Sequence, residues 1–133
     1  MKVVNLFPLS IIQEKISLDK NIKNEMTKEI ETMVSKSNNK DYKNKNESWT
    51  GDTQGFEYLN KNKKFKDLFT HIKNTAIKYL DHLKINENVV DLYITRSWAT
   101  LSNGKENILP HNHLQSHISF AYYLKKSAED ANI

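Results

Sequence analysis

The sequence predicts an α+β domain with an antiparallel sheet, helical over residues 1–85 and with a β core over residues 89–124. Three observations predict it. Two segments in the first 85 residues carry apolar side chains at helical three-and-four spacing. After residue 88 the chain turns to β-branched and aromatic residues with period two. The helices precede the strands as a block instead of alternating with them, which disfavours a parallel sheet. At 133 residues and 15.6 kDa the chain is expected to form a single domain over 1–133.

Residues 3–12 (VVNLFPLSII) are a short apolar opening broken by Pro8, which fits an edge strand followed by a turn. From about Asp19 to Ser35 the apolar positions are Ile22, Met26, Ile30, Met33 and Val34, a helical stripe with Ser17 or Asp19 as N-cap. Residues 36–48 (KSNNKDYKNKNES) are polar and read as a loop. The segment from Trp49 to Phe56 holds two glycines between aromatics and reads as a structured turn or a substrate-facing loop. The second helix is the clearest element. Phe65, Leu68, Phe69, Ile72, Ala76, Tyr79, Leu80 and Leu83 form its stripe, with His71 and His82 off it and therefore exposed.

Residues 89–100 (VVDLYITRSWAT) read as a strand, with Val90, Leu92, Ile94 and Trp98 on one face and Tyr93, Thr95, Ser97 and Ala99 on the other. A turn-rich stretch over 102–107 leads to a second strand near Ile108–His113, and a third runs from about Ile118 to Leu124.

Composition removes several function classes. Cysteine is absent, so disulfides, thiolate metal sites and cysteine nucleophiles go together. No apolar run is long enough to span a bilayer and the N-terminus has no signal-peptide pattern, so a soluble, cytoplasmic chain is expected. The net charge of +4 comes from 19 lysines and one arginine, Arg96, beside 16 asparagines. Lysine is a hydrated point charge without the bidentate fork that reads guanine and phosphate, and an AT-rich coding bias explains the excess. A nucleic-acid partner is accordingly disfavoured.

The segment with chemistry is Pro110-His111-Asn112-His113, followed by a strand ending Tyr122-Tyr123-Leu124. On an extended backbone residues i and i+2 share a face, so His111 and His113 present two imidazoles side by side. Two imidazoles suit iron, zinc, copper or nickel and make half of a facial site. A pair of surface histidines on an edge strand is the alternative.

In these residues the chain resembles the 2-oxoglutarate/iron(II)-dependent oxygenases of phage and marine bacterial genomes and, more distantly, prolyl hydroxylases. The resemblance rests on Ser97-Trp98-Ala99, Gly104, Pro110-His111-Asn112-His113, Ser116, Ser119 and Tyr122-Tyr123-Leu124, with Asn5-Leu6-Phe7-Pro8 matching the opening. It implies a dioxygenase (a hydroxylase) with Fe(II) as metal and 2-oxoglutarate as co-substrate, acting on an unidentified small molecule or peptide. The implied fold is a set of N-terminal helices packed on part of a double-stranded β-helix, or jelly roll. His111 matches the first metal ligand, and His113 stands where relatives carry Asp or Glu. Tyr123 matches the tyrosine that binds the distal carboxylate of 2-oxoglutarate, with Trp98, Thr100 and Ser119 lining the same cavity.

The sequence also departs from the pattern. Leu114 replaces a common proline and Phe120 a glycine. The family's distal histidine and its 2-oxoglutarate-binding arginine come several dozen residues later, and the stretch after His113 contains His117 but no arginine. A jelly roll needs about eight strands, so the 133 residues are expected to be an incomplete one, lacking part of the active site. Two other readings compete: a non-catalytic metal- or ligand-binding module built on His111 and His113, and a basic interaction protein using the lysines of residues 36–48.

Overall fold

The structure, a computed structural model, describes residues 10–37, 47–49, 55–102 and 111–126. The expected opening strand through residue 9, most of the 36–48 loop, residues 50–54 of the expected 49–56 turn, residues 103–107 of the 102–107 turn and residues 108–110 of the 108–113 strand lie outside these residues.

Helix α1 spans Lys20–Lys36. Its start is fixed by Asp19, whose carboxylate accepts from the Asn21 N–H at 2.7 Å, the bond expected of an N-cap. It ends at Ser37, whose N–H donates to the Met33 and Val34 carbonyls and whose hydroxyl donates to Val34 at 2.9 Å. Met26 and Met33 are its buried residues, as the stripe requires, and Ile22 and Ile30 pack beside them.

Two 3-10 turns, Leu59–Lys61 and Lys63–Phe65, lead into helix α2, Lys66–His82. Asn62 joins the turns: its side-chain oxygen accepts from the Lys64 N–H, and its amide donates to Glu29 on α1 at 3.1 Å. Lys64 meets the same carboxylate at 2.5 Å, so the entrance to α2 is tied to the middle of α1. The far end of α2 closes in a Schellman motif. Ile85 N–H donates to the Leu80 carbonyl and Lys84 N–H to that of Asp81, with Lys84 at φ 60°. His71 and His82 are both exposed, as their place off the stripe predicts.

The core is one cluster: Leu18, Met26, Met33, Leu59, Phe65 and Leu68. Phe65 and Met26 are each 1% exposed and form its centre between the helices and the 3-10 turns. Ile16, Phe56, Phe69, Ile72, Ala99, Tyr122 and Leu124 pack around it. The segment before α1 is drawn in by Tyr79, whose hydroxyl donates to the Ser10 carbonyl at 2.7 Å, and by Glu14, which meets Lys78 and Thr75, each at 2.6 Å. Gly55 precedes Phe56 at φ 79°, a backbone conformation glycine adopts without steric cost.

The β structure differs from the expected pattern in extent. Strand β1, Glu47–Trp49, pairs antiparallel with β2, Thr100–Ser102, in the register Glu47↔Ser102, Ser48↔Leu101, Trp49↔Thr100. The residues expected as a strand over 89–100 instead begin in a 3-10 turn, Glu87–Val89, and join a ladder only at Ser97 and Thr100. The expected face pattern holds at Leu92, Tyr93 and Ile94 and then breaks, because Ser97 is buried at 5%. Residues 118–124 pair with no strand among the described residues, and they alternate in burial only from Ala121 to Leu124, Phe120 being 47% exposed. Phe120 packs edge-on against Phe69 of α2, and Tyr122 and Leu124 reach the core cluster; Ser119, Ala121 and Tyr123 are exposed. Burial also pushes the Tyr122 phenol above its ordinary value.

Candidate metal centre

Ser97 is the anchor on which the candidate site is hung. Tyr58 and Ser97 form an isolated parallel bridge in which the Ser97 N–H donates to the Glu57 carbonyl at 2.7 Å and the Leu59 N–H to the Ser97 carbonyl at 3.1 Å. The buried Ser97 hydroxyl accepts from the Asn60 N–H at 3.0 Å and donates to the Asn60 side-chain oxygen at 2.8 Å. Four hydrogen bonds thus fix one residue to the core side of the turn before α2. Its neighbours in the chain, Arg96 and Trp98, take their places from it.

Trp98 is half-buried, and its ring meets that of His113 at a centre-to-centre distance of 5.4 Å. The His113 ring in turn stands nearly perpendicular to that of His111, the centres 4.9 Å apart. The Arg96 guanidinium lies 5.5 Å from the Trp98 ring centre, within the range of a cation–π contact. Arg96, Trp98, His113 and His111 form a continuous row. Immediately beyond His113 the chain turns: Ser116 N–H donates to the His113 carbonyl at 3.1 Å, leaving Leu114 exposed at the tip.

The ring separation suits shared metal coordination. Two imidazoles bound to one ion at right angles, each through a bond of about 2.1 Å, hold their centres roughly 4.5–5 Å apart. His111 and His113 meet that condition and are both exposed to solvent. The pair would hold an Fe(II), Zn(II) or Ni(II) ion through neutral nitrogen donors. Among the described residues no third histidine, aspartate or glutamate gathers with them. His117 lies past the turn and is exposed.

The residues that the family resemblance adds are placed as follows. Thr100 opens β2, two residues beyond Trp98, and is exposed. Ser119 and Tyr123 are exposed on the face of the 118–124 segment opposite to Tyr122. Tyr123 takes no part in the ring contacts described above. The structure therefore brings together His111, His113 and Trp98 and adds Arg96, which spacing did not select. Its signal in the sequence was compositional, as the only arginine in the chain. Two shallow grooves of about 290 and 220 Å³ lie elsewhere, along α2 and residues 85–92, and share Ile77 and Asn88. They lack convergent catalytic groups.

Comparison of the chain with protein-family models, with characterised proteins and with solved structures returns no match. No helix among the described residues is long and apolar enough to cross a membrane.

Proposed function

We propose that this chain carries the metal-binding elements of a 2-oxoglutarate- and Fe(II)-dependent dioxygenase, with His111 and His113 as metal ligands. The observation that carries the reading is the approach of the two imidazoles to 4.9 Å beside Trp98. The sequence pattern from Ser97 to Leu124 supplies the family. When bound, the metal and the keto acid supply oxidative chemistry that no side chain here can perform alone. The chain's own part is to hold the ion through two neutral imidazoles and to shield one side of it with the Trp98 indole.

A second reading is a metal-binding module without turnover. It is favoured by His113 standing where a carboxylate would, since two neutral donors place less negative charge on a cation than an imidazole and a carboxylate do. One experiment separates these. Fe(II) and 2-oxoglutarate are added without oxygen to the full chain, and the visible charge-transfer band of the chelate is recorded before air is admitted. The oxygenase reading expects a band that is abolished in His111→Ala and succinate formation after air. Metal binding without the band leaves the second reading. Metal binding unchanged in His111→Ala removes both.

A further inference from the structure

We propose that the outer face of α2 is a self-association surface, on which a second copy of this chain packs antiparallel about Ile77. The surface uses no residue of the histidine pair and stands apart from the metal reading. Lys73, Ile77 and Asp81 are spaced four residues apart on α2 and so form one ridge along a single face of the helix. Leu68 and Ile72, which pack into the core, fall on the opposite side. The two grooves beside α2 meet at Ile77: Lys73 lines the one of about 220 Å³ and Asp81 the one of about 290 Å³. Ile85 and Val90, each 39% exposed, and Leu92 give them an apolar wall. Val89, between two lining residues in the chain, is 75% exposed. Apolar side chains gathered in this way gain free energy when a partner removes them from water.

Charge decides which partner fits. A two-fold axis through Ile77 sets the residue four before it opposite the residue four after it on the other copy. Lys73 then faces the partner's Asp81, and Asp81 faces the partner's Lys73, because a two-fold interface makes every contact twice. Each charge stands about 6 Å from Ile77 along the helix, and axes packed about 8–10 Å apart leave the long lysine side chain within reach of the carboxylate. A uniformly basic partner would match Asp81 and Asp91 but set like charge against Lys73, and an acidic one would do the reverse. A second copy satisfies both signs. Asp81 also gains most from a cation, since it lies in the last turn of α2, where the carbonyl end of a helix disfavours negative charge. Among the described residues the ion pairs engage Glu29, Lys64, Glu14 and Lys78, none of which lines the grooves. Lys73, Asp81 and Asp91 are exposed.

The test is sedimentation velocity of the full chain in a metal chelator, which prevents the histidine pair from linking two copies through an ion. Wild type is expected to pass from monomer to dimer between about 1 and about 100 μM, the range of a small, partly polar interface. Lys73→Asp and Asp81→Lys, each alone, set like charges opposite one another at both contacts and are expected to weaken the dimer about tenfold or more. The chain carrying both exchanges restores opposite charges and is expected to bring the dissociation constant back to within about threefold of wild type. A wild-type chain that stays monomeric through about 100 μM overturns the proposal and leaves the grooves to a partner of another kind. A dimer indifferent to the single variants, or not recovered in the double one, places the contact elsewhere and overturns it equally. Both altered side chains are exposed, and thermal unfolding of each variant checks that its fold is retained.

Discussion

At Lys84 the backbone takes φ 60°, the left-handed conformation that a Cβ disfavours, because the Schellman bonds closing α2 demand it there. Glycine fits this position without strain. Lys84→Gly is therefore expected to stabilise the chain by about 0.5–1 kcal/mol, read as a raised urea midpoint with an unchanged slope, while Lys84→Ala gives no such gain. The residue scale is also where the site was most legible. An H-x-H pair announces adjacent imidazoles from the backbone period alone, and the rings of His111 and His113 do meet. Arg96 was not legible in that way. Its place beside Trp98 follows from the bridge at Ser97, a contact with residues some forty positions earlier that no local pattern encodes.

Among the elements, the helices were readable and the strands were not, for one physical reason. A helix closes its hydrogen bonds within its own segment, so the stripe from Ile22 to Met33 and the one from Phe65 to Leu80 carry most of the information that defines α1 and α2. A strand is completed by a neighbour. Residues 118–124 turn Tyr122 and Leu124 to the core and set Phe120 edge-on to Phe69, yet no ladder partner stands beside them among the described residues. Residues 89–100 lose their alternation where Ser97 turns inward to bond Asn60, a polar requirement that outranks the apolar pattern. That requirement can be weighed by Ser97→Ala. It leaves the Asn60 N–H without its acceptor and is expected to cost about 1–3 kcal/mol in urea unfolding. Because Trp98 follows directly, the same variant should shift tryptophan emission to longer wavelength as the indole gains solvent. An unshifted spectrum would show that Trp98 is held by its rings and not by its neighbour.

For the whole molecule, the charged contacts that join distant parts among the described residues include that of Glu29, which receives both Asn62 and Lys64 from the turn before α2. The Lys64 ammonium, ahead of the Asn62 amide, holds the Glu29 carboxyl below its ordinary value of 4.5. A carboxyl depressed by folding contributes stability above its unfolded value, and that contribution is lost as pH falls through the folded one. Stability is thus expected to fall on acidification below about pH 4.5, and to fall less steeply in Glu29→Gln, measured as urea midpoints across pH 3–6. At this scale the bond between Asn60 and Ser97 has a further consequence, for the order in which the chain folds. It closes a loop of 37 residues that contains the whole of α2. Closing a flexible loop of that length costs about 3 kcal/mol in chain entropy before any contact rewards it. With α2 already wound into a rod of about 25 Å, fewer free joints remain to be ordered. A helix formed before ring closure therefore lowers the entropy cost of joining Asn60 to Ser97.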